Sequence, residues 1–185
     1  MRTTMVLATA FLGISLTTSP GPTKQTYRKT LDQTQTVQGY PCAKGYAWFY
    51  ADGRLQRCTI SHDTLFGEVA IPTQSIIELR HDGRPNYAML VHNTFIKGLN
   101  CSGGGPLGPG EGAMTVLYPS GKFRLCFLTQ DQVVQGVPCA RGGFYRAMVS
   151  HDVPVEFYES GRLKSCILSD DYRGLHRWNK FVQGP

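Results

Sequence analysis

The most constraining feature of this sequence is a tight-turn motif that occurs four times. Each copy has a glycine preceded by Asp or Ser and followed by Arg or Lys: Ala51-Asp52-Gly53-Arg54, His81-Asp82-Gly83-Arg84, Pro119-Ser120-Gly121-Lys122 and Glu159-Ser160-Gly161-Arg162. Such dipeptides accommodate the positive φ values of tight hairpin turns, and Asp-Gly is a stronger signal than Ser-Gly. The motif therefore predicts four β-hairpins in series.

Apolar residues recur at fixed distances from the turn glycine. Phe or Leu stands four residues before it, and Ile or Leu stands seven residues after it: Phe49, Leu79, Leu117, Phe157; Ile60, Leu90, Leu128, Leu168. A hairpin with one buried face requires this pattern. We therefore predict an all-β fold, an antiparallel meander of about four β-hairpin repeats with roughly eight to ten strands, stapled by disulfides, in an open or closed sheet.

The repeats occupy most of the chain. We place the units near residues 39–66, 67–97, 98–135 and 136–168, within a single domain of residues 27–185. Residues 27–39 resemble the second half of a unit, and residues 181–185 resemble the start of another. These half units could pair with each other and close the sheet. The largest insertion, residues 98–112, is rich in glycine but lacks the lysine and following helix of a phosphate-binding loop.

The N-terminus has the pattern of an export signal. Arg2 precedes an apolar stretch, Met5 to Leu16, which is too short to span a bilayer comfortably. We predict a signal peptide over residues 1–19, a linker over residues 20–26, and a mature protein in the periplasm, on the outer surface or in the medium. The alternative is a buried N-terminal helix.

Six cysteines allow fifteen pairings. Units one, three and four each have one cysteine in the opening loop and one in the second strand, whereas unit two has Ala70 and Ala88 there. Pairing between adjacent units would leave cysteines opposite alanines, so we predict pairing within units: Cys42–Cys58, Cys101–Cys126 and Cys139–Cys166. Disulfides also fit the oxidising compartment that a signal peptide implies. Zinc-finger spacing is absent.

The chain is basic, with a formal net charge of +6 and a pI near 9.1. The residue after each turn glycine is a cation: Arg54, Arg84, Lys122 and Arg162. If the hairpins lie side by side, these four cations line one edge of the sheet, roughly 10 Å apart, and Arg57, Arg124 and Lys164 could extend the row. They would form an anion-binding edge for a polymer or a lipid headgroup surface. The alternative is that they only keep the edge soluble.

Two further residue sets are candidates for function. Trp48, Tyr50, Tyr118 and Tyr158 lie in predicted strands, where they could stack on sugars or contact a partner, or else cover a second packed layer, which we favour. Three His-Asp dipeptides, His62-Asp63, His81-Asp82 and His151-Asp152, could supply general-base or metal-binding chemistry. We interpret them as turn and solvent-facing residues. Without a nucleophile elbow or a carboxylate pair, the sequence predicts no catalytic residue, metal site or cofactor.

The repeated motif F-Y-x-x-G-[RK]-[LF] resembles MORN-type repeats and the related hairpin repeats of bacterial exported proteins, over residues 39–168. The usual MORN unit is shorter, rich in Tyr-x-Gly and without paired cysteines. The resemblance implies a scaffold or a membrane-associated module.

These observations predict an exported binding or structural module at the bacterial cell envelope. Its expected partner is an anionic polysaccharide or a lipid headgroup surface, and no nucleic acid is expected. One alternative is a secreted hydrolase whose site is assembled across repeats. Another is an inhibitor or effector that docks on a protein through the Gly-rich insertion.

Overall fold

The computed structural model describes residues 26–104, 114–142 and 154–184. These residues form β-structure without a helix, which confirms the predicted all-β class. The predicted signal peptide, most of the Gly-rich insertion and His151-Asp152 lie outside them. The strands in chain order are β1 (Thr26–Leu31), β2 (Gln35–Val37), β3 (Tyr40–Tyr50), β4 (Leu55–Ile60), β5 (Thr64–Phe66), β6 (Val69–Ile71), β7 (Ile76–Leu79), β8 (Pro85–Met89), β9 (Thr94–Ile96), β10 (Leu99–Cys101), β11 (Met114–Leu117), β12 (Phe123–Cys126), β13 (Gln132–Val134), β14 (Val137–Cys139), β15 (Val155–Phe157), β16 (Leu163–Ile167) and β17 (Lys180–Val182).

The long strands form one antiparallel sheet in the order β1-β3-β4-β7-β8-β11-β12-β15-β16-β17, with β2 also paired to β3. The pairs β3/β4, β7/β8, β11/β12 and β15/β16 are the four predicted hairpins. One further strand flanks the four hairpins at each end, since β1 pairs with β3 and β17 pairs with β16. Among the described residues β1 and β17 lie at opposite ends of this order and do not pair, so the sheet is open rather than closed.

A second layer consists of short hairpins that the sequence analysis did not predict. β5/β6, β9/β10 and β13/β14 form three two-stranded sheets, and β2 with the start of β3 forms an equivalent pair. The turns Gln38-Gly39, Lys97-Gly98 and Gln135-Gly136 have positive φ at both residues, which defines type I′ turns. Gly39, Gly98 and Gly136, at which the sequence analysis placed unit boundaries, therefore lie within the turns of short hairpins. Each unit comprises one long and one short hairpin.

The hydrophobic core lies between the main sheet and the short hairpins. All eight apolar positions predicted around the turn glycines are buried. Each short hairpin adds three residues to the same cluster: Val69 and Ile71, Leu99 and Cys101, or Val137 and Cys139 in its second strand, and Phe66, Ile96 or Val134 at the end of its first strand. Because side chains alternate along a strand, the preceding residues Leu65, Phe95 and Val133 point away from the core.

The tips of short hairpins are fixed to the long turns by a repeated pair of hydrogen bonds. The Gln38 side chain donates to Gly53 O at 3.1 Å and accepts from the Leu55 amide at 3.0 Å. Gln135 makes the same two bonds with Gly161 and Leu163. In the β5/β6 hairpin the Glu68 carboxylate accepts from the Phe123 amide at 2.9 Å. The short layer therefore lies over the core with its tips toward the turns.

The three disulfides are Cys42–Cys58, Cys101–Cys126 and Cys139–Cys166, which are the pairs that the sequence predicts. Each one joins the second strand of a short hairpin to the second strand of a long hairpin, and all six cysteines are buried. Three buried disulfides are consistent with a protein that folds in an oxidising, exported environment.

The predicted alignment of unit two is wrong by one residue. Thr64 pairs with Ile71 in the β5/β6 hairpin, where the equivalent pair in unit three is Thr94 with Cys101. Ile71 therefore occupies the first cysteine position and is buried, whereas Ala70 is exposed. The shift arises because Gly67 is the first of the two turn residues rather than the second, and only the first has positive φ, as in a type II′ turn. Ala88 does lie at the second cysteine position of unit two, as predicted.

Candidate functional site

The four long turns have one geometry. In the first, the Tyr50 amide donates to Arg54 O at 2.8 Å and the Gly53 amide donates to Tyr50 O at 2.9 Å. Gly53 has a φ of 83°, and equivalent bonds close the other three turns. This is a three-residue loop with glycine in the left-handed region, rather than a two-residue turn. Because the hairpins are neighbours in one antiparallel sheet, the turns and their cations lie along a single edge, which we call the turn edge.

The turn-edge cations of units one and two are neutralised by their own turns. The Arg84 guanidinium forms a salt bridge with Asp82 at 2.5 Å, and the Arg84 amide also donates to Asp82. Hydrogen bonds from the Arg84 side chain and amide hold the pKa of Asp82 below its usual value. Arg54 lies 3.5 Å from Asp52 and donates to His81 O at 3.1 Å. The aspartate that favours the turn therefore also cancels the adjacent charge.

Units three and four have Ser in place of that aspartate. The Lys122 amide is 3.4 Å from Ser120 Oγ, a neutral acceptor. The Arg162 guanidinium donates to the Gly184 carbonyl at 3.2 Å. Neither cation forms a salt bridge within the described residues. The pKa of Glu68 is lowered mainly by the hydrogen bond from the Phe123 amide. Lys122 lies close enough to the Glu68–Lys97 pair to lower this pKa further. The uncompensated charge of the turn edge is therefore in units three and four.

Arg57, Arg124 and Lys164 do not extend the turn edge. They lie on the face of the main sheet opposite the core, which we call the outer face. Arg57 bonds Glu78 at 2.6 Å, and Tyr87 and Asn86 donate to the same carboxylate.

A second network on this face surrounds Glu156. Arg124 and Lys164 each approach Glu156 Oε1 at 3.1 Å. Burial alone would raise the pKa of Glu156, but hydrogen bonds from Lys164 and Arg124 outweigh it and hold the pKa below its usual value. These three cations are committed to internal ion pairs, so they are poor candidates for binding an external anion.

The predicted tyrosines tie consecutive hairpins together. The hydroxyls of Tyr50, Tyr118 and Tyr158 donate to Leu79 O at 2.8 Å, Phe157 O at 2.8 Å and Gln183 O at 2.7 Å respectively. Arg80 occupies this position in unit two and approaches Leu117 O at 3.4 Å. Leu79, Leu117 and Phe157 lie in the first strand of the next long hairpin, and Gln183 directly follows β17. These side chains are therefore structural, while Trp48 lies on the outer face beside Arg57.

The described His-Asp dipeptides have local partners. Asp63 accepts from the Thr73 amide at 2.8 Å, and His62 Nδ1 lies 3.1 Å from Ser61 Oγ. His81 Nε2 lies 3.2 Å from Asp52 Oδ2, in the neighbouring turn, rather than pairing with Asp82. Among the described residues no three His, Cys, Asp or Glu side chains lie close enough to hold a metal ion. His151-Asp152 lies outside them.

The sequence analysis missed a row of exposed apolar side chains on the short hairpins. Leu65, Phe95 and Val133 are 69%, 69% and 67% exposed. The hairpins that bear them are adjacent, because Lys97 binds Glu68 at 3.1 Å and Gln132 donates to Gly98 O at 2.5 Å. The sequence contains the pattern, since each of these residues directly precedes an apolar residue that enters the core. The pattern indicates an exposed row only when the short hairpins are known.

No protein-family model, curated protein or solved structure matches this chain. Residues 26–104, 114–142 and 154–184 contain no helix that is long and apolar enough to cross a membrane. The function must therefore be argued from the surfaces of the molecule itself.

Proposed function

We propose that this protein is an exported binding module that recognises an anionic polymer or lipid headgroup surface through its turn edge. The observation that carries the proposal is that Lys122 and Arg162 have no salt-bridge partner in the described residues, whereas Arg54 has a carboxylate 3.5 Å away and Arg84 one at 2.5 Å. Two cations without a salt bridge, on adjacent turns of one edge, attract a polyanion at little conformational cost. The binding half of the edge is that of units three and four.

The disulfide-linked sheet supplies the rigid support for this edge. The bonds from the tips of the short hairpins hold the turns of units three and four in place, through Glu68 and Gln135. A module of this kind suits the periplasm, the outer surface or the extracellular medium, where anionic polysaccharides and headgroups are exposed. The resemblance to MORN-type repeats is compatible with such a scaffold role.

The test compares two matched double variants, Lys122→Gln with Arg162→Gln and Arg54→Gln with Arg84→Gln. Binding of the oxidised protein to alginate, to polyphosphate and to phosphatidylglycerol vesicles is measured across a salt series. Each free cation near an anionic surface contributes about 1 kcal/mol, so the first variant should bind about 25-fold more weakly and with a smaller salt dependence. The second should stay close to the wild type. Equal losses in both variants, or binding independent of salt, would contradict the proposal.

A second candidate function is protein docking through the short-hairpin layer. The observation that favours it is the row of Leu65, Phe95 and Val133, since exposed apolar patches bordered by polar residues mark interaction sites. The predicted docking through the Gly-rich insertion falls mostly outside the described residues.

A further inference from the structure

The outer face of the main sheet carries an aromatic platform near its β1 edge. Tyr46 and Trp48 are two residues apart on β3, so they share a face, and their rings meet edge to face with centroids 6.4 Å apart. Tyr46 is 53% exposed. The short hairpins cover the opposite face of the sheet, where Ala47 and Phe49 enter the core. Packing of the core therefore gives no reason for these two aromatic side chains.

An arginine side chain lies against each ring of the platform. The Arg28 guanidinium carbon lies 4.1 Å from the centre of the Tyr46 ring, and that of Arg57 lies 5.7 Å from the Trp48 ring. Arg57 is itself fixed by Glu78. Arg28 forms no salt bridge among the described residues, so its planar donors remain available beside the rings. Rings held in this way lose little conformational entropy when a flat ligand stacks on them.

A polar groove of about 640 Å³ lies on the same side of the first two hairpins. Its lining includes Thr26, which is two residues from Arg28 on β1, together with Gln56, Glu78, Arg80 and Asn86. Their hydroxyl, amide, carboxylate and guanidinium groups can donate or accept hydrogen bonds. The groove contains carboxylates of Glu78 and Asp82 as well as the Arg80 cation, so it has no strong excess of either sign.

We infer that this platform and groove form a second site, which binds the pyranose rings of an uncharged polysaccharide. A pyranose ring has an apolar face that stacks on aromatic rings and hydroxyl groups at its rim that bond to planar polar side chains. Single-stranded nucleic acid also stacks on aromatic residues, but it binds in grooves with an excess of cations, which the lining of this groove lacks. The site is separate from the turn-edge cations Lys122 and Arg162, so either proposal can fail alone.

The test uses the emission of Trp48 as its readout. The chain has two tryptophans, so Trp178→Phe leaves Trp48 as the single reporter. Cellohexaose and chitohexaose are titrated against this protein, with a single-stranded DNA oligonucleotide as the competing ligand class. We expect saturable changes in Trp48 emission with both sugars and little dependence on salt. Tyr46→Ala should weaken binding about fivefold, as expected for one stacked ring.

Tyr27→Ala is the matched control. Tyr27 is similarly exposed, at 48%, but lies on the core side of β1, where it stacks on Phe49. The Tyr27→Ala variant should bind the sugars like the parent protein. The variant with Lys122→Gln and Arg162→Gln should also bind them like the parent protein. Absence of sugar binding, equal weakening by Tyr27→Ala and Tyr46→Ala, or binding of the oligonucleotide alone would overturn the inference.

Discussion

Units two and three are neighbours in the main sheet and meet the same packing requirement in different ways. Unit three joins its short and long hairpins by the Cys101–Cys126 disulfide. Unit two has Ile71 and Ala88 at these positions, both buried, so an aliphatic side chain fills the space of the two sulfur atoms. The comparison shows that the repeat tolerates loss of a covalent link where a larger side chain restores the packing.

The two units also differ in their hydrogen bonds and in the charge of their turns. Unit two adds hydrogen bonds around the buried Ser75, whose carbonyl accepts from the Ile60 amide at 2.8 Å and whose hydroxyl accepts from the Val91 amide at 3.1 Å. Its turn pairs Arg84 with Asp82, whereas unit three leaves Lys122 without a salt bridge in the described residues. The shared pattern therefore maintains the fold, and the departures from it change the charge of the turn edge.

The largest effect is expected on removing the disulfide of unit three. Cys101→Ala with Cys126→Ala opens a link with a sequence separation of 25, which should cost about 3 kcal/mol of unfolding free energy by loop entropy, and more if a cavity remains. Denaturant unfolding measures the loss. The variant with Cys101→Ile and Cys126→Ala copies unit two and should recover up to about 2 kcal/mol through burial of the isoleucine. Identical stability of the two variants would show that packing does not replace the link.

A fourth disulfide should form when unit two is converted to the pattern of unit three. Ile71→Cys with Ala88→Cys places thiols at the positions that pair elsewhere, and the net gain should be about 1–2 kcal/mol, since loop closure is partly offset by the lost isoleucine. Thiol titration and a non-reduced peptide map detect the bond. Ala70→Cys with Ala88→Cys is the control, and it should keep two free thiols because residue 70 faces solvent. A disulfide in the control variant alone would support the alignment predicted from the sequence, in which Ala70 occupies the first cysteine position.

The smallest effect is expected at the boundary between the two units, where Thr115 of β11 pairs with Ala88 of β8. Thr115 is buried and its hydroxyl has no hydrogen-bond partner among the described residues. Thr115→Val keeps the shape and removes an unsatisfied polar group, so unfolding free energy should rise by about 1 kcal/mol. Ser75→Ala also removes a buried hydroxyl but leaves the Val91 amide unpaired, and should lower stability by about 1–2 kcal/mol. Changes of the same sign in both variants would contradict this account.

Much of the fold could be predicted because its rules are local. A glycine at a left-handed position marks each long turn, and apolar residues at fixed offsets mark the buried face, so strand pairing follows from the chain itself. The disulfide pairing followed from the same repeat. The alignment error at Ala70 had a local origin too, since a type II′ turn at Gly67 replaces the type I′ turn of the other short hairpins and moves the glycine by one position.

The candidate sites were less predictable because they depend on residues that are distant in the chain. The sequence identified the four turn cations but could not tell that Arg57 reaches Glu78, 21 residues away. It also could not tell that the Tyr50 hydroxyl donates a hydrogen bond to Leu79 O, whereas Trp48, two residues earlier, lies on the outer face. Exposure and charge compensation are set by the neighbouring strand, and the identity of that neighbour is a tertiary property.

The sequence by itself thus determined the four long hairpins, their buried faces and the three covalent links, because turn geometry and side-chain alternation act over a few residues. Only the tertiary structure decided which cations are neutralised, which aromatic rings reach the surface and which face of the sheet is covered by the short hairpins. The physical reason is that desolvation and ion pairing depend on distances between strands, which the order of residues within one strand does not contain.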